Sequence, residues 1–341
     1  GTPYYYLTSP SPMGARLRVR ARWEDVIDAN RYEVLTALSP EKADGSDARW
    51  ISFGKLLTTT DMTKPAVIEA LEAEAKGVRV YDAESGEAVT PHNGTVYYNV
   101  HRQRWIGIFV QHFGTPSVLG EVWYAEADMP VGPWAYARKI VTHDKYSFYN
   151  PKHHPLFDQD DGRTIYFEGT YSATFSGSEE TATPRYDYNQ IMYRLNLDDP
   201  RLTLPVPVYR VQGNSHQLGV AGTRRMESIA FYAVEPDRAK EGLIGIYPEG
   251  GSDDQLTAKR PSDDTAPLFL AMPAGEDASE NAMLANLYAY RHADSGEVRY
   301  ETDPQWNRED WERTGRPLCR VWRIPPGRLL FDSQVRALNQ P

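Results

Sequence analysis

The stretch Gly94 to His112, "GTVYYNVHRQRWIGIFVQH", holds two runs rich in β-branched and aromatic residues, Thr95–Asn99 and Arg104–Gln111, around a polar break. Such runs, bounded by turn residues, predict two antiparallel strands joined by a tight turn. The next stretch, "GEVWYAEADMPVGPW", adds a third strand over Gly120–Ala127 and ends in a Pro/Gly turn. The order then starts again at Tyr149 to Ser172, "YNPKHHPLFDQDDGRTIYFEGTYS": an Asn-Pro opening, a strand, an Asp-Gly turn and a strand over Thr164–Gly169. "YNQIMYRLNLDDPRL" supplies a third strand, Gln190–Leu197, and an acidic turn. "RRMESIAFYAV" with "LIGIYP", carrying strands Ser228–Val234 and Leu243–Tyr247, and "AMLANLYAYRH" with "CRVWRIP" read as two further rounds.

Repeats of roughly 45 to 60 residues with about four strands each have the size of propeller blades. A chain of 341 residues holds five of them most comfortably; six or seven stay compatible, because the N-terminal part repeats poorly. The expectation is all-β: a single β-propeller domain over 14–333, preceded by a Pro/Ser/Tyr-rich extended arm over 1–13 and followed by a tail over 334–341. One inserted helix is predicted over Thr63–Gly77. Pro65 suits a first helical turn, Val67, Ile68, Leu71 and Ala75 make an apolar stripe, and Gly77 supplies a stop. Arg16–Arg22 alternates with the period of a strand, its arginines expected on a solvated face. Pro248–Asp264 reads as a polar loop.

Lysine plus arginine total 37 against 47 acidic residues, a formal charge of -10. That balance gives no general attraction to nucleic acid or anionic membrane, and no run is long and apolar enough to span a bilayer; neither is an expected partner. A lone cysteine, Cys319, excludes an internal disulfide and a multi-cysteine zinc site. The 22 tyrosines and 8 tryptophans suit short strands, and they suit a site whose floor stacks on sugar rings. Gly1 to Pro12 shows neither the basic nor the apolar part of a signal peptide.

The run from Gly120 to Trp134, followed by Asn150 to Ser172, resembles the blade pattern of five-bladed propeller glycoside hydrolases of the arabinanase and xylosidase-like families. The resemblance implies a carbohydrate-active enzyme, expected to be exported from a bacterium. Where those hydrolases carry an aspartate before the proline, this chain has Asn150, and the usual two-carboxylate machinery loses a member. A second resemblance is to propeller polysaccharide lyases of the ulvan lyase kind, which use His, His, Tyr, Arg and Tyr in chain order. It implies catalytic roles for His112, His143, Tyr171, Arg185 and Tyr232, in the motifs "VQHFG", "VTHDKYSFYNPKHHP", "EGTYSATFSG" and "TPRYDYNQ" and on the strand "RRMESIAFYAV".

Read on their own chemistry, these residues leave alternatives open. His112, His143, His153 and His154 cluster within about one blade, and the adjacent His153 and His154 face opposite ways on a strand. A metal held by His112, His143 and one of that pair with Asp144 or Glu168 would match no recognised zinc spacing. No cofactor is required, although a structural or site ion is compatible with these residues. Arg185 can clamp a substrate carboxylate bidentately or pair with Asp187, and Tyr188 belongs to the same polar motif. Glu168 and Glu227 lie amid apolar neighbours, where a carboxyl can serve as general acid or be a buried structural group. Asp61 is a weaker candidate base, and Asp158, Asp160 and Asp161 are explained by a turn. Asn150, His153, His154, Glu168, Tyr188 and Glu227 are the expected substrate-binding residues.

Three functions follow. The first is a lyase cleaving a uronate-containing polysaccharide or oligosaccharide by β-elimination. Arg185 would neutralise the carboxylate, with histidine and tyrosine as base and acid. The second is a glycoside hydrolase using Glu168 and Glu227, and the third a non-catalytic glycan-binding propeller.

Overall fold

A computed structural model describes residues 3–7, 17–36, 49–54, 79–173, 176, 179, 188–211, 216–218, 226–238, 240–250, 252–275, 281–325, 330–331 and 337–338. The helix expected over 63–77, together with Asp61, Arg185 and Asp187, lies outside them. Strands are the main regular structure of the described residues, which fall into two compact units. One is drawn from 1–80, 88–197 and 327–341, the other from 81–87 and 198–326.

In the first unit, β1 (Tyr4–Leu7), β2 (Leu17–Arg20), β3 (Glu33–Thr36) and β4 (Arg49–Ser52) form an antiparallel sheet in chain order. Part of the expected arm is thus a paired strand. Val19 and Leu35 are buried, as alternation demands. The solvated face holds for Arg20 and Arg22 but not for Arg18. Its guanidinium sits 4.0 Å from the Trp50 ring centroid and 4.4 Å from that of Tyr4, with Nε donating to Glu33 at 2.8 Å. Two aromatic faces and a carboxylate replace its water. A short helix, α1 (Trp23–Val26), follows β2.

A second sheet begins with the short β5 (Val80–Asp82) and β6 (Ala88–Val89). It continues as an antiparallel run of β7 (Pro91–Asn99), β8 (Arg104–Gln111), β9 (Val122–Ala127) and β10 (Tyr136–Val141). The turn after β7 uses no glycine. Asn99 is buried, its Oδ1 accepting from the Arg102 amide at 2.7 Å and its Nδ2 donating to the Gly162 carbonyl at 2.8 Å. Both faces of β8 and β9 are covered: Phe109, Trp123, Ala125 and Ala137 pack with Val80, Val89 and Trp134 on one side. The other side carries Ile106, Ile108, Val110, Val122 and Tyr124, all at 0% exposure. At the far end of that second face lies a buried ionic group. Arg102 clamps Glu126 at 2.9 and 3.1 Å, Arg104 bonds Asp128, and Tyr124 donates to Glu126 at 2.5 Å.

The third sheet is the antiparallel set β11 (Ser147–His153), β12 (Thr164–Ser172) and β13 (Tyr188–Asn196). Asn150 and Pro151 lie inside β11 and not ahead of it, at an irregularity between Tyr149 and Lys152. Asn150 takes φ 54°, a left-handed conformation that asparagine tolerates better than most residues. β11 and β7 lie side by side and run the same way: Asn93 meets Asn150, and Thr95 Oγ1 accepts from the His153 amide at 2.9 Å.

In the second unit, β14 (Val206–Val211), β15 (His216–Leu218) and β16 (Met226–Ala233) precede β17 (Ile244–Glu249), β18 (Ser252–Thr257) and β19 (Phe269–Ala271). β20 (Leu284–His292), β21 (Val298–Glu301), β22 (Trp311–Arg313) and β23 (Cys319–Trp322) follow. One sheet runs β15-β14-β16-β23-β20-β21, with β22 also on β20, and the other runs β18-β17-β19. β18 corrects the reading of 248–264 as a loop: its Leu256 is buried and pairs with Pro248, which gives the polar stretch an apolar anchor. Phe231, Ile246, Phe269, Leu287, Cys319 and Val321 centre this unit's core. Among the described residues no helix is long and apolar enough to cross a membrane.

Candidate functional site

In an antiparallel sheet the start of one strand lies beside the end of its neighbour. The starts of β7, β11 and β13 and the ends of β8, β10 and β12 therefore carry His92, Asn93, His112, His143, Tyr149, Asn150, Tyr171 and Tyr188. Asn93 Nδ2 donates to Asn150 Oδ1 at 2.6 Å, joining the second and third sheets at this end.

His143 is the centre of the densest group. It follows β10, is 6% exposed, and lies flat on Phe148 with centroids 4.7 Å apart and planes at 11°. Its Nδ1 is 2.5 Å from the Gly120 carbonyl oxygen and its Nε2 is 3.0 Å from the Tyr193 hydroxyl. Burial lowers the proton affinity of the ring, against smaller opposing effects of the Gly120 carbonyl and the Glu121 charge. The neutral ring therefore has one consistent tautomer, since a carbonyl only accepts: Nδ1–H donates to Gly120, and Nε2 accepts the Tyr193 hydroxyl proton. Burial also raises the pKa of Tyr193, keeping it a phenol that can donate. Tyr171 lies 5.5 Å from the His143 ring centroid and stacks on Tyr146 at 4.5 Å and 17°. The group is thus an imidazole lone pair coupled to a phenol, with two stacked phenol rings beside it. It can accept and relay a proton.

The remaining expected residues divide. His112 belongs to a different group at the same end, 5.0 Å from His92 and stacked on Phe113 at 3.9 Å. Burial, then repulsion from His112, lowers the proton affinity of His92. Tyr188 is 62% exposed, with its hydroxyl 2.6 Å from that of Tyr149, a bond that raises the pKa of Tyr149. His153 and His154 do face different surroundings. His153 is 1% exposed and donates through Nε2 to Asp158 at 2.8 Å, while His154 Nε2 lies 3.0 Å from Glu168 Oε1. Glu168 is one-third exposed and opposite Lys152 and Met192 in register, not enclosed by apolar groups as expected. β12 turns its alternate residues, Phe167 and Gly169, to the covered face.

Tyr232 and Glu227 are on β16 in the second unit, and Tyr232 has the 1% exposure of a core side chain. Arg185 is outside the described residues. No group of three or more His, Cys, Asp or Glu side chains that could hold a metal converges among the described residues. Tyr146, Phe148, Tyr193 and Glu121 were not singled out from the sequence. Tyr193 had a signal: along β13 Asn189, Ile191 and Tyr193 are half-buried while Tyr188, Gln190 and Met192 are exposed, so the inward parity selects it. No protein-family model matches the chain, and no curated protein sequence matches it.

Proposed function

We propose that this protein is a carbohydrate-active enzyme that cleaves a uronate-containing polysaccharide by β-elimination, on a five-bladed β-propeller. The fold reading is supported by β7 and β11, which are edge strands of two different antiparallel sheets and lie side by side in one direction, as the inner strands of neighbouring blades do. The observation that carries the chemistry is the 3.0 Å approach of the Tyr193 hydroxyl to Nε2 of the buried His143.

β-Elimination requires a base for the C5 proton and an acid for the departing O4. His143 is nearly enclosed, so the half-buried Tyr193 hydroxyl is its link to substrate. As Tyr193 oxygen takes the C5 proton, its own proton passes to His143 Nε2. The C5–H electron pair becomes the C4=C5 double bond, the C4–O4 bond breaks, and Tyr171 gives its proton to O4. Arg185 is assigned to the substrate carboxylate, where a planar fork offsets charge accumulating near C5. Tyr146 and Tyr171 offer the stacked faces, and Asn150 and Tyr188 are assigned to sugar hydroxyls or the carboxylate. Export from a bacterial cell belongs to the same reading, because a polymeric glycan is met outside the cell.

The test is incubation with a panel of uronate and neutral glycans, following ultraviolet absorbance of an unsaturated uronate and product mass. A lyase product is lighter than a hydrolysis product by one water. The absorbance is expected to rise with the native protein and not with His143→Ala. Cleavage that leaves only saturated non-reducing ends, with no rise in absorbance, would overturn the lyase in favour of the hydrolase, and binding without turnover would leave a glycan-binding propeller.

A further inference from the structure

We infer that Glu121 is a positioning residue for His143, tying the start of β9 to the end of β10 and setting the charge that the imidazole faces. The carboxylate has 0% exposure. Its two oxygens lie 2.7 and 2.9 Å from Thr142 Oγ1, and Oε2 is 2.8 Å from Lys139 Nζ. The neighbours on each side are joined as well, Gly120 to His143, through the 2.5 Å contact at Nδ1. Residues 120 and 121 thus hold residues 142 and 143 in consecutive pairs, one through a carbonyl and one through a carboxylate.

The loop before β9 is built closely around this clamp. A Cβ on Gly120 would stand 2.6 Å from Ser117 Cβ, and one on Gly114 would stand 2.8 Å from Glu121 Cγ. An enclosed carboxylate is costly, and its pairing with a lysine is weak evidence of a stabilising role. Its hold on Thr142, the residue before His143, and the favourable effect of its charge on the protonated imidazole give it another. The groups facing His143 are Tyr193 from β13, Tyr171 from β12, Phe148 from β11 and the Gly120 carbonyl, none of them charged. Asp144 and Lys145, next in the chain, are exposed and opposite in sign. Glu121 is the enclosed charge, with the 41% exposed Lys139 as its counter-ion.

The inference rests on His143 as the proton acceptor, but its test reads proton occupancy and not turnover, so either can fail alone. The protein, carrying 13C- and 15N-labelled histidine, is titrated by NMR as wild type, Glu121→Gln and Lys139→Gln. The His143 signal is identified by its loss in His143→Gln. Removing the anion disfavours imidazolium, so Glu121→Gln is expected to lower the His143 midpoint; removing the cation is expected to raise it. The two variants should stand about one pH unit apart. A purely structural ion pair would move both in the same direction or neither, and either result overturns the inference. If Glu121→Gln does not fold, Lys139→Gln carries the test, and an unmoved midpoint there overturns it.

Discussion

Gly169 on β12 and Phe148 on β11 share one space: a Cβ on Gly169 would stand 2.5 Å from Phe148 Cε1. The same Phe148 ring stacks on the His143 imidazole, with centroids 4.7 Å apart. Gly169→Ala is therefore expected to cost about 1–3 kcal/mol, as overpacked cores do. If the proposed lyase reading holds, it should also lower turnover on a uronate glycan, by displacing the His143 ring that receives the Tyr193 proton. Denaturant unfolding of Gly169→Ala, Phe148→Leu and the double variant checks this. The two sites touch, so the smaller leucine side chain ought to relieve part of the clash and the costs should not add.

Tyr193→Phe removes a single hydroxyl from the His143 partner. The stability cost is expected to be about 0.5–1.5 kcal/mol. If the phenol carries the C5 proton, kcat falls steeply while KM changes little, because the ring remains in place. Steady-state kinetics on any glycan that gives the unsaturated product decide it. Equal turnover by wild type and Tyr193→Phe would remove Tyr193 from the proton path.

Asn150 is held in a left-handed conformation and accepts from Asn93, both of which aspartate also allows. Asn150→Asp should accordingly fold normally. A negative charge beside a uronate would weaken its binding by about 1 kcal/mol or more, recovering at high salt. Michaelis constants at low and high ionic strength measure this, and a gain in turnover on a neutral glycoside would instead favour the hydrolase.

Acid is expected to weaken the fold in two stages. Burial holds the proton affinities of His143 and His153 below the ordinary 6.5, and burial with repulsion from His112 does so for His92. The folded state then binds fewer protons than the unfolded chain, so this contribution is complete above 6.5 and is lost as pH falls through the folded values. Glu126 follows at lower pH. Burial alone would raise its pKa, but Arg102, Arg104 and Tyr124 outweigh it and hold it below 4.5. Its contribution is complete above 4.5 and is lost below. Unfolding midpoints measured from about pH 7 to about pH 3 should fall throughout; a rise between about pH 7 and about pH 5 would contradict the histidine part.

The strands were legible where runs rich in β-branched and aromatic residues lie between turn-forming residues, and β8 spans the expected Arg104–Gln111. The tight turn after Asn99 and the third strand over Val122–Ala127 were legible for the same reason. The partner of His143 was not, since Tyr193 is fifty residues away in sequence and meets it only once β13 is paired. Arg18 looked like a solvated arginine because its two ring partners come from other strands. Tyr232 fitted a chain-order pattern, yet its side chain is buried in the second unit, a distinction that residue type alone does not encode.

The ionic group of Arg102, Arg104, Glu126 and Asp128 sits at the opposite end of β8 and β9 from Gly120. Strand pairing alternates faces, so a slip of one residue would turn Arg104 and Glu126 to opposite sides and leave charges enclosed without partners. Such misaligned pairings are thereby made expensive, which purely apolar strands of similar composition would not achieve. The alignment set there is carried along β9 towards Gly120, whose carbonyl accepts the hydrogen bond from His143 Nδ1. Accuracy at the imidazole is in this sense inherited from charges at the far end of the same strands.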